Sequence, residues 1–331
     1  MKRIAINGFG RIGRAFFRLA FGGNDLDIVA INDPFITPEQ ARYLLTYDSV
    51  YHRYEYEVVK AGDGIKVDGK FIPLLSKKDP QELPWKDKKI DVIIESTGHF
   101  LTRDLASLHL KAGAKKVLLS APPKGDDIPQ IVYMVNNDAY NPKKDLIISA
   151  ASCTTNSLAP VAYVLEQEFG IAHAFLTTVH GYTADQKLVD APHDKFARGR
   201  AAAVNIVPTT TGAASATAKV IPSLAGKMDG IALRVPVPTG SVSDFTVEVK
   251  REITVDEVNK AFRRYAEGKL SGVLGVSSDP LVSSDIIGDS RASVIDLSST
   301  RVVDRRFLKV MAFYDNEWGY TEQLLRVANL L

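Results

Sequence analysis

The stretch that decides the fold is Ile4-Ala5-Ile6-Asn7-Gly8-Phe9-Gly10-Arg11-Ile12-Gly13-Arg14-Ala15-Phe16-Phe17-Arg18-Leu19. An apolar, β-prone run passes through three glycines into residues with helical spacing, which is the strand, tight turn and helix of a dinucleotide-binding unit. Glycine lets the backbone turn sharply and approach a pyrophosphate, whose charge then rests on the N–H groups of the helix N-terminus. A second strand at residues 27–32 ends on Asp33, twenty residues beyond Gly13. An acidic side chain there is expected to hold the ribose hydroxyls of an adenosine, and it would repel a 2′-phosphate, so the cofactor expected is NAD rather than NADP.

The same alternation continues. Thr37-Pro38-Glu39-Gln40 reads as a capping box with proline at the first helical position, opening a helix toward Leu45. Asp68-Gly69 predicts a hairpin across residues 65–72, an antiparallel excursion from the main sheet. Strands at 91–95 and 116–119 lead into Ser96-Thr97-Gly98 and Ser120-Ala121-Pro122. Their small polar residues sit at the strands' carboxyl ends, the edge where open α/β sheets bind ligands. One doubly wound domain therefore ends near Ser152. Beyond it, β-prone runs at 172–179, 230–235, 245–249, 293–297 and 308–314 predict a mostly antiparallel sheet with helices on one face. One helix is marked by the capping box Thr254-Val255-Asp256-Glu257 and by Gly268 as its stop. The fold class expected is α/β, a Rossmann-type doubly wound parallel sheet followed by an α+β domain.

Composition narrows the function. A chain of 331 residues with 45% hydrophobic and 24% charged residues has ordinary globular composition and room for two cores. A formal charge of +2 gives no reason to expect nucleic acid or an anionic membrane as partner. One cysteine leaves no intramolecular disulfide and no cysteine cluster for a metal, and the six histidines lack HExxH spacing, so no metal is expected. No apolar run approaches the roughly 18 residues of a membrane span and the amino terminus runs straight into a strand, which points to a cytoplasmic protein.

That cysteine lies in Ser149-Ala150-Ala151-Ser152-Cys153-Thr154-Thr155-Asn156-Ser157, between a β-prone run and a segment of helical spacing that stops at Gly170. Cys153 is thus expected at a helix N-terminus, where unpaired N–H groups and the helix dipole lower a thiol pKa. Its polar neighbours argue against a purely apolar pocket. Residues 175–180 form a strand ending on His180, the candidate partner base. The long stretch from Tyr182 to Thr211, carrying Lys187, Lys195, Arg198 and Arg200, is expected at a site or a subunit contact. The turn Thr209-Thr210-Thr211-Gly212 reads either as a phosphate-oxygen site or as a helix cap.

Taken together, INGFGRIGR, AIND at 30–33, ESTG at 95–98, ASCTTN at 151–156, TTVHGYTADQ at 177–186, PTTTGAA at 208–214, RVPVPTGSVSD at 234–244 and YDNEWGY at 314–320 resemble phosphorylating glyceraldehyde-3-phosphate dehydrogenases nearly end to end. The resemblance implies Cys153 as nucleophile and His180 as base. It places Arg11, Ile12, Asp33, Ser96, Thr97, Phe100, Ser120 and Asn316 around NAD, together with Gly8, Gly10 and Gly13. It gives Thr183 and Arg234 to the substrate phosphate, and Ser152, Thr154, Arg198, Thr211 and Gly212 to the inorganic phosphate. The substrates implied are D-glyceraldehyde 3-phosphate and inorganic phosphate, and the assembly implied is a homotetramer. Domains are expected at 1–152 and 153–316, with a C-terminal helix at 317–331 returning to the cofactor domain. Departures from the commoner pattern are Ala150, Ser157, Phe313 and the loop 194–200, where Ala197 removes an arginine. The rival readings are an erythrose-4-phosphate dehydrogenase, which the Thr183 segment and PTTTGAA disfavour, an aspartate-semialdehyde type of reductase, and a non-catalytic NAD-binding scaffold.

Overall fold

The structure, a computed structural model, describes residues 1–331. Its contacts divide the chain into a first unit, Met1–Ile131 with Asn137–Ala151 and Leu324–Leu331, and a second unit, Val132–Asn136 with Ser152–Gln323.

In the first unit the order is β1 (Lys2–Asn7), α1 (Arg11–Ala20), β2 (Leu26–Asn32), α2 (Pro38–Thr46), β3 (Val58–Ala61), β4 (Gly64–Val67), β5 (Lys70–Leu75), β6 (Val92–Glu95), α3 (Arg103–Lys111), β7 (Lys116–Leu119) and β8 (Ile147–Ser149). The sheet runs β3-β4-β5-β2-β1-β6-β7-β8. All pairs from β5 to β8 are parallel, while β3, β4 and β5 form the antiparallel excursion. Winding goes outward from β1 through β2 and then resumes on the other side at β6, so the crevice at the carboxyl ends of β1 and β6 is the ligand edge. Ile4, Ala5 and Ile6 of the central strand are fully buried, as a strand covered on both faces requires. Thr37 caps α2 with the reciprocal Gln40 bond of a capping box. Asp68 and Gly69, both at positive φ, make the hairpin turn between β4 and β5.

In the second unit come α4 (Cys153–Phe169), β9 (Ile171–Gly181), β10 (Val207–Thr210), α5 (Ala213–Val220), β11 (Met228–Val235), β12 (Ser241–Val249), α6 (Val255–Glu267), β13 (Leu274–Ser277), β14 (Ser293–Val303), β15 (Phe307–Tyr314) and α7 (Trp318–Leu330). The sheet order is β10-β11-β9-β12-β15-β14-β13, antiparallel except for β11 with β9 and β13 with β14. The burial of β12 alternates residue by residue, the signature of one face packed and one open. Helices α4, α5 and α6 supply the packing on this sheet. α7 crosses the division of the chain: Lys2 Nζ donates to Asn329 O at 2.6 Å and Lys116 Nζ to Leu331 O at 3.0 Å within the first unit.

Three strands, β3 of the first unit and β10 and β13 of the second, lie outside the runs that the sequence marked. β10 is an edge strand and carries Pro208, whose missing N–H only an edge tolerates. Thr209 and Thr210 therefore belong to a strand paired with β11, and the expected turn shrinks to Thr211 and Gly212. Four-residue β13 contains Gly275, which weakens any local strand signal.

Candidate active site

The chain enters α4 through Ala151, a non-glycine residue at φ 58°. A left-handed alanine costs about 1 kcal/mol, and it sits two residues before the only cysteine, at a place where sharp strand-to-helix turns present a reactive side chain. Ser152 caps α4, its hydroxyl accepting from Thr155 N at 3.1 Å. Cys153 is the first helical residue and is partly exposed. Its sulfur lies 3.4 Å from His180 Nε2, at the end of β9.

The neighbours of His180 decide its tautomer. Nδ1 is 2.6 Å from Gly181 O, too close for two acceptors, so Nδ1 carries the proton and donates to that carbonyl. Nε2 is then a lone pair facing the thiol. Arg234 Nη1 donates to the same carbonyl at 3.1 Å; in this tautomer its 2.9 Å approach to Nδ1 is a contact of two donors, not a hydrogen bond, and the shorter 2.6 Å contact to Gly181 O decides the proton's place. Burial together with the Arg234 charge pushes His180 down to about 3, so the imidazole is neutral. Burial also pushes the Cys153 thiol up; Arg234, the Thr154 hydroxyl and the N–H groups of Cys153 and Thr154 pull it back. The helix N-terminus thus acts in the expected direction, but desolvation outweighs it, which corrects the expectation of a lowered thiol pKa. The imidazole therefore faces the thiol as a neutral base.

Tyr314 completes the cluster and was not singled out from the sequence. Its buried hydroxyl bonds Thr154 Oγ1 at 3.0 Å and Thr178 Oγ1 at 2.8 Å. Its ring meets the His180 ring edge-on at 6.0 Å. Tyr314 thereby links the first turn of α4 to β9 and fixes the imidazole plane. One turn along α4, the Ser157 hydroxyl lies 3.4 Å from those of Ser243 and Ser293.

The remaining anion candidates, and Asn316 of the cofactor set, are distributed over the second unit. Arg198 bonds Asp185 and donates from Nε to Thr209 Oγ1 at 2.9 Å. Thr211 Oγ1 accepts from Ala213 N at 3.2 Å just ahead of α5, whose N-cap is Gly212, and a Cβ at Gly212 would meet open space. Thr183 turns onto Gln186, whose backbone N–H donates to Thr183 O at 2.9 Å. Asn316 Oδ1 accepts from Ser241 Oγ at 2.8 Å and Gly240 N at 3.1 Å, which aims its amide N–H groups away from those donors.

In the first unit a cavity of about 380 Å³ opens at the carboxyl ends of β1, β2 and β6. Of the expected cofactor residues it brings together Gly8, Gly10, Asp33, Ser96, Thr97 and Phe100, and it adds Phe35, Lys77, Lys78 and His99. Arg11, Ile12, Gly13 and Ser120 do not line it: the Arg11 guanidinium is held by Asp48, and a Cβ at Gly13 would strike Gly8 O at 2.1 Å. That contact is the close helix-to-strand packing for which the third glycine is needed. Asp33 accepts from Phe9 N at 2.8 Å and Phe35 N at 3.0 Å, which fixes its carboxylate at the rim. A Cβ at Gly10, the N-cap of α1, would enter open space, and no side chain caps that helix. A helix N-terminus with no side-chain cap beside unfilled volume fits a pyrophosphate, so the residues present suit a dinucleotide.

Comparison with known proteins agrees with this geometry. Residues 2–103 match the model of the glyceraldehyde 3-phosphate dehydrogenase NAD binding domain, and residues 152–316 match that of the C-terminal domain. The chain is 52% identical to glyceraldehyde-3-phosphate dehydrogenase 2 of Streptomyces avermitilis, over 98% of this chain and 96% of that protein. It is 49% identical to the glyceraldehyde-3-phosphate dehydrogenase of Geobacillus stearothermophilus, over 98% of this chain and 97% of that one, and 49% identical to that of Haloarcula vallismortis, over 99% and 98%. With a thiol facing a neutral imidazole in one unit and a dinucleotide crevice in the other, the chain belongs to the glyceraldehyde-3-phosphate dehydrogenase family of NAD-dependent oxidoreductases.

Proposed function

We propose that the protein oxidises D-glyceraldehyde 3-phosphate to 1,3-bisphosphoglycerate with NAD and inorganic phosphate. The observation that carries this reading is the 3.4 Å approach of Cys153 Sγ to the unprotonated nitrogen of His180. Cys153 attacks the aldehyde carbon as its proton passes to Nε2 and from there to the carbonyl oxygen, which gives a hemithioacetal on sulfur and leaves His180 neutral again. His180 then removes the hemithioacetal hydroxyl proton. When bound, NAD supplies the hydride acceptor that leaves a thioester on Cys153. The N–H groups of Cys153 and Thr154, already directed at sulfur, stabilise the oxyanions of both addition steps. Phosphate attack on the thioester frees the thiol, and His180 returns the proton.

The other site residues follow from this order. Arg234 and Thr183 hold the substrate phosphate, and Ser152, Thr154, Arg198, Thr211 and Gly212 the attacking phosphate. For Arg234 to do so, its guanidinium must serve the anion while keeping its contact with Gly181 O. Gly8, Gly10, Arg11, Ile12, Gly13, Asp33, Ser96, Thr97, Phe100, Ser120 and Asn316 surround the cofactor, some through backbone groups alone. We assign residues 1–152 and the C-terminal helix to cofactor binding and 153–316 to the chemistry.

A homotetramer is the assembly this reading favours. Phe175, Leu188, Val189, Phe196, Val204 and Ile206 of the second unit are each at least 67% exposed. So many large apolar side chains exposed on one chain favour cover by further copies. No helix is long and apolar enough to cross a membrane. A lone thiol that must stay reduced to react suits the cytoplasm.

The test is NADH formation by the purified protein with D-glyceraldehyde 3-phosphate, with and without inorganic phosphate, beside erythrose 4-phosphate. Fast, phosphate-dependent turnover of the triose is expected. Faster turnover of the tetrose, or none of either despite NAD binding, would overturn the reading.

A further inference from the structure

Beneath the dinucleotide crevice lies a second polar cluster that the chemistry above does not use. Glu95, His109, Trp85, Asn7 and Asn32 are each no more than 2% exposed, yet they come from separate elements of the first unit. Trp85 Nε1 donates to His109 Nδ1 at 3.1 Å. An indole N–H can only donate, so Nδ1 must accept and the imidazole proton sits on Nε2. Nε2–H then donates to Glu95 Oε2 at 3.1 Å, beside Asn7 Nδ2, which donates to the same oxygen at 2.6 Å. The other carboxylate oxygen accepts from Thr97 N at 2.8 Å and from the Thr97 hydroxyl. Glu95 is thus an anion with no cation beside it, its lone pairs filled by four donors on three other residues.

Burying a charge this way stabilises a fold less than an apolar side chain of similar volume would, so the arrangement needs another reason. The far ends of the network supply one. Thr97 and Asn7 line the crevice. Asn7 Oδ1 accepts from Asn32 Nδ2 at 2.7 Å, and Asn32 in turn clamps Lys77 through both its backbone groups at 2.9 Å. Phe100, the expected adenine wall, meets the His109 ring edge-on at 5.8 Å. The glycine-turn wall, the β6 wall, the Lys77 wall and the aromatic wall all converge on one carboxylate.

We infer that Glu95, with His109 held in a single tautomer by Trp85, is a positioning residue for the adenosine half of NAD, setting the crevice walls without touching the cofactor. This rests on NAD occupying the crevice. Glu95→Gln puts an amide N–H pair against two converging donors whichever way it turns. NAD affinity should fall about tenfold or more, the scale of losing a charge-assisted hydrogen bond. ADP-ribose affinity should fall by the same factor, while kcat at saturating NAD and the KM for the aldehyde stay within about twofold. His109→Phe keeps the ring packing and removes one donor, and should weaken NAD by about threefold. Val117→Ala, in the same core cluster, serves as the control: it lowers thermal stability and leaves NAD affinity unchanged.

Binding is titrated on variants shown to be folded by thermal unfolding. Folded Glu95→Gln and His109→Phe proteins with wild-type affinity for NAD and ADP-ribose would overturn the inference. So would failure of both to fold, because Glu95 would then serve the core. Absence of NAD binding by the unaltered protein would instead remove the assignment of the crevice.

Discussion

The protein holds two buried histidines, and their neighbours make opposite use of them. His180 gives its Nδ1 proton to Gly181 O, sits beside the Arg234 cation, and turns a bare Nε2 toward a thiol. His109 receives the Trp85 N–H on Nδ1, sits beside the Glu95 anion, and commits its only proton to that carboxylate. One ring has a lone pair pointed at a reactive atom; the other has every valence consumed. Burial of a histidine therefore says little about reactivity. What decides it is which neighbour Nδ1 bonds, Gly181 O at 2.6 Å for His180 and the Trp85 N–H for His109, because that bond sets what Nε2 can do.

The sharpest way to break the contrast is to remove the thiol. Cys153→Ala should abolish turnover, by more than about a thousandfold, while NAD affinity stays at the wild-type value. Residual turnover at a tenth of the wild-type rate would mean that another group is the nucleophile. His180→Gln comes next, with a loss of about a hundredfold to ten-thousandfold in kcat, the range for a general base. A loss of a few fold would place His180 among the structural histidines.

Arg234→Leu tests the cation beside the reactive ring. Arg234 holds the thiol pKa down and the imidazole pKa down. Its removal should move the pH profile of thiol alkylation to higher pH and raise KM for the phosphorylated aldehyde; an unchanged alkylation profile would separate Arg234 from the thiol. Tyr314→Phe should have the smallest effect. It leaves the Thr154 and Thr178 hydroxyls short of a partner and should cost about 1–3 kcal/mol in stability, read from denaturant midpoints, with kcat lowered only a few fold.

His180 also makes a stability prediction with a defined sign. Its pKa is about 3 when folded and ordinary when unfolded, so between these values the unfolded chain binds more protons. Stability should therefore be complete above about pH 6.5 and fall by up to about 1.4 kcal/mol per pH unit below it. The His180→Gln variant should show a shallower acid limb in thermal unfolding.

Much of this was legible because local signals and chain order coincide. Gly8, Gly10 and Gly13 announce the crevice, since the need for Gly8 and Gly13 is set by atoms a few residues away or on the adjoining strand, while Gly10 leaves the volume in front of the helix open. The helix beginning at Cys153 follows from Ser152 as cap and the apolar spacing beyond it. Tyr314 escaped notice because its role depends on Thr154 and Thr178, far away in sequence and joined only when β15, β9 and α4 pack. Glu95 reads as an ordinary strand end; nothing near it in sequence shows that Trp85 will orient His109 against it. The balance that sets the thiol pKa is hidden from the sequence for a similar reason. A helix N-terminus is visible in sequence, but the burial that outweighs it is a property of the packed site.

The central claim is that Cys153 carries the oxidised acyl group. The direct measurement is mass spectrometry of the protein quenched after mixing with D-glyceraldehyde 3-phosphate and NAD without phosphate, then again after phosphate is added. The account predicts an acyl adduct on the peptide containing Cys153 that phosphate discharges within a turnover. An adduct elsewhere, or NADH formed in the full reaction with Cys153 never modified, would contradict it.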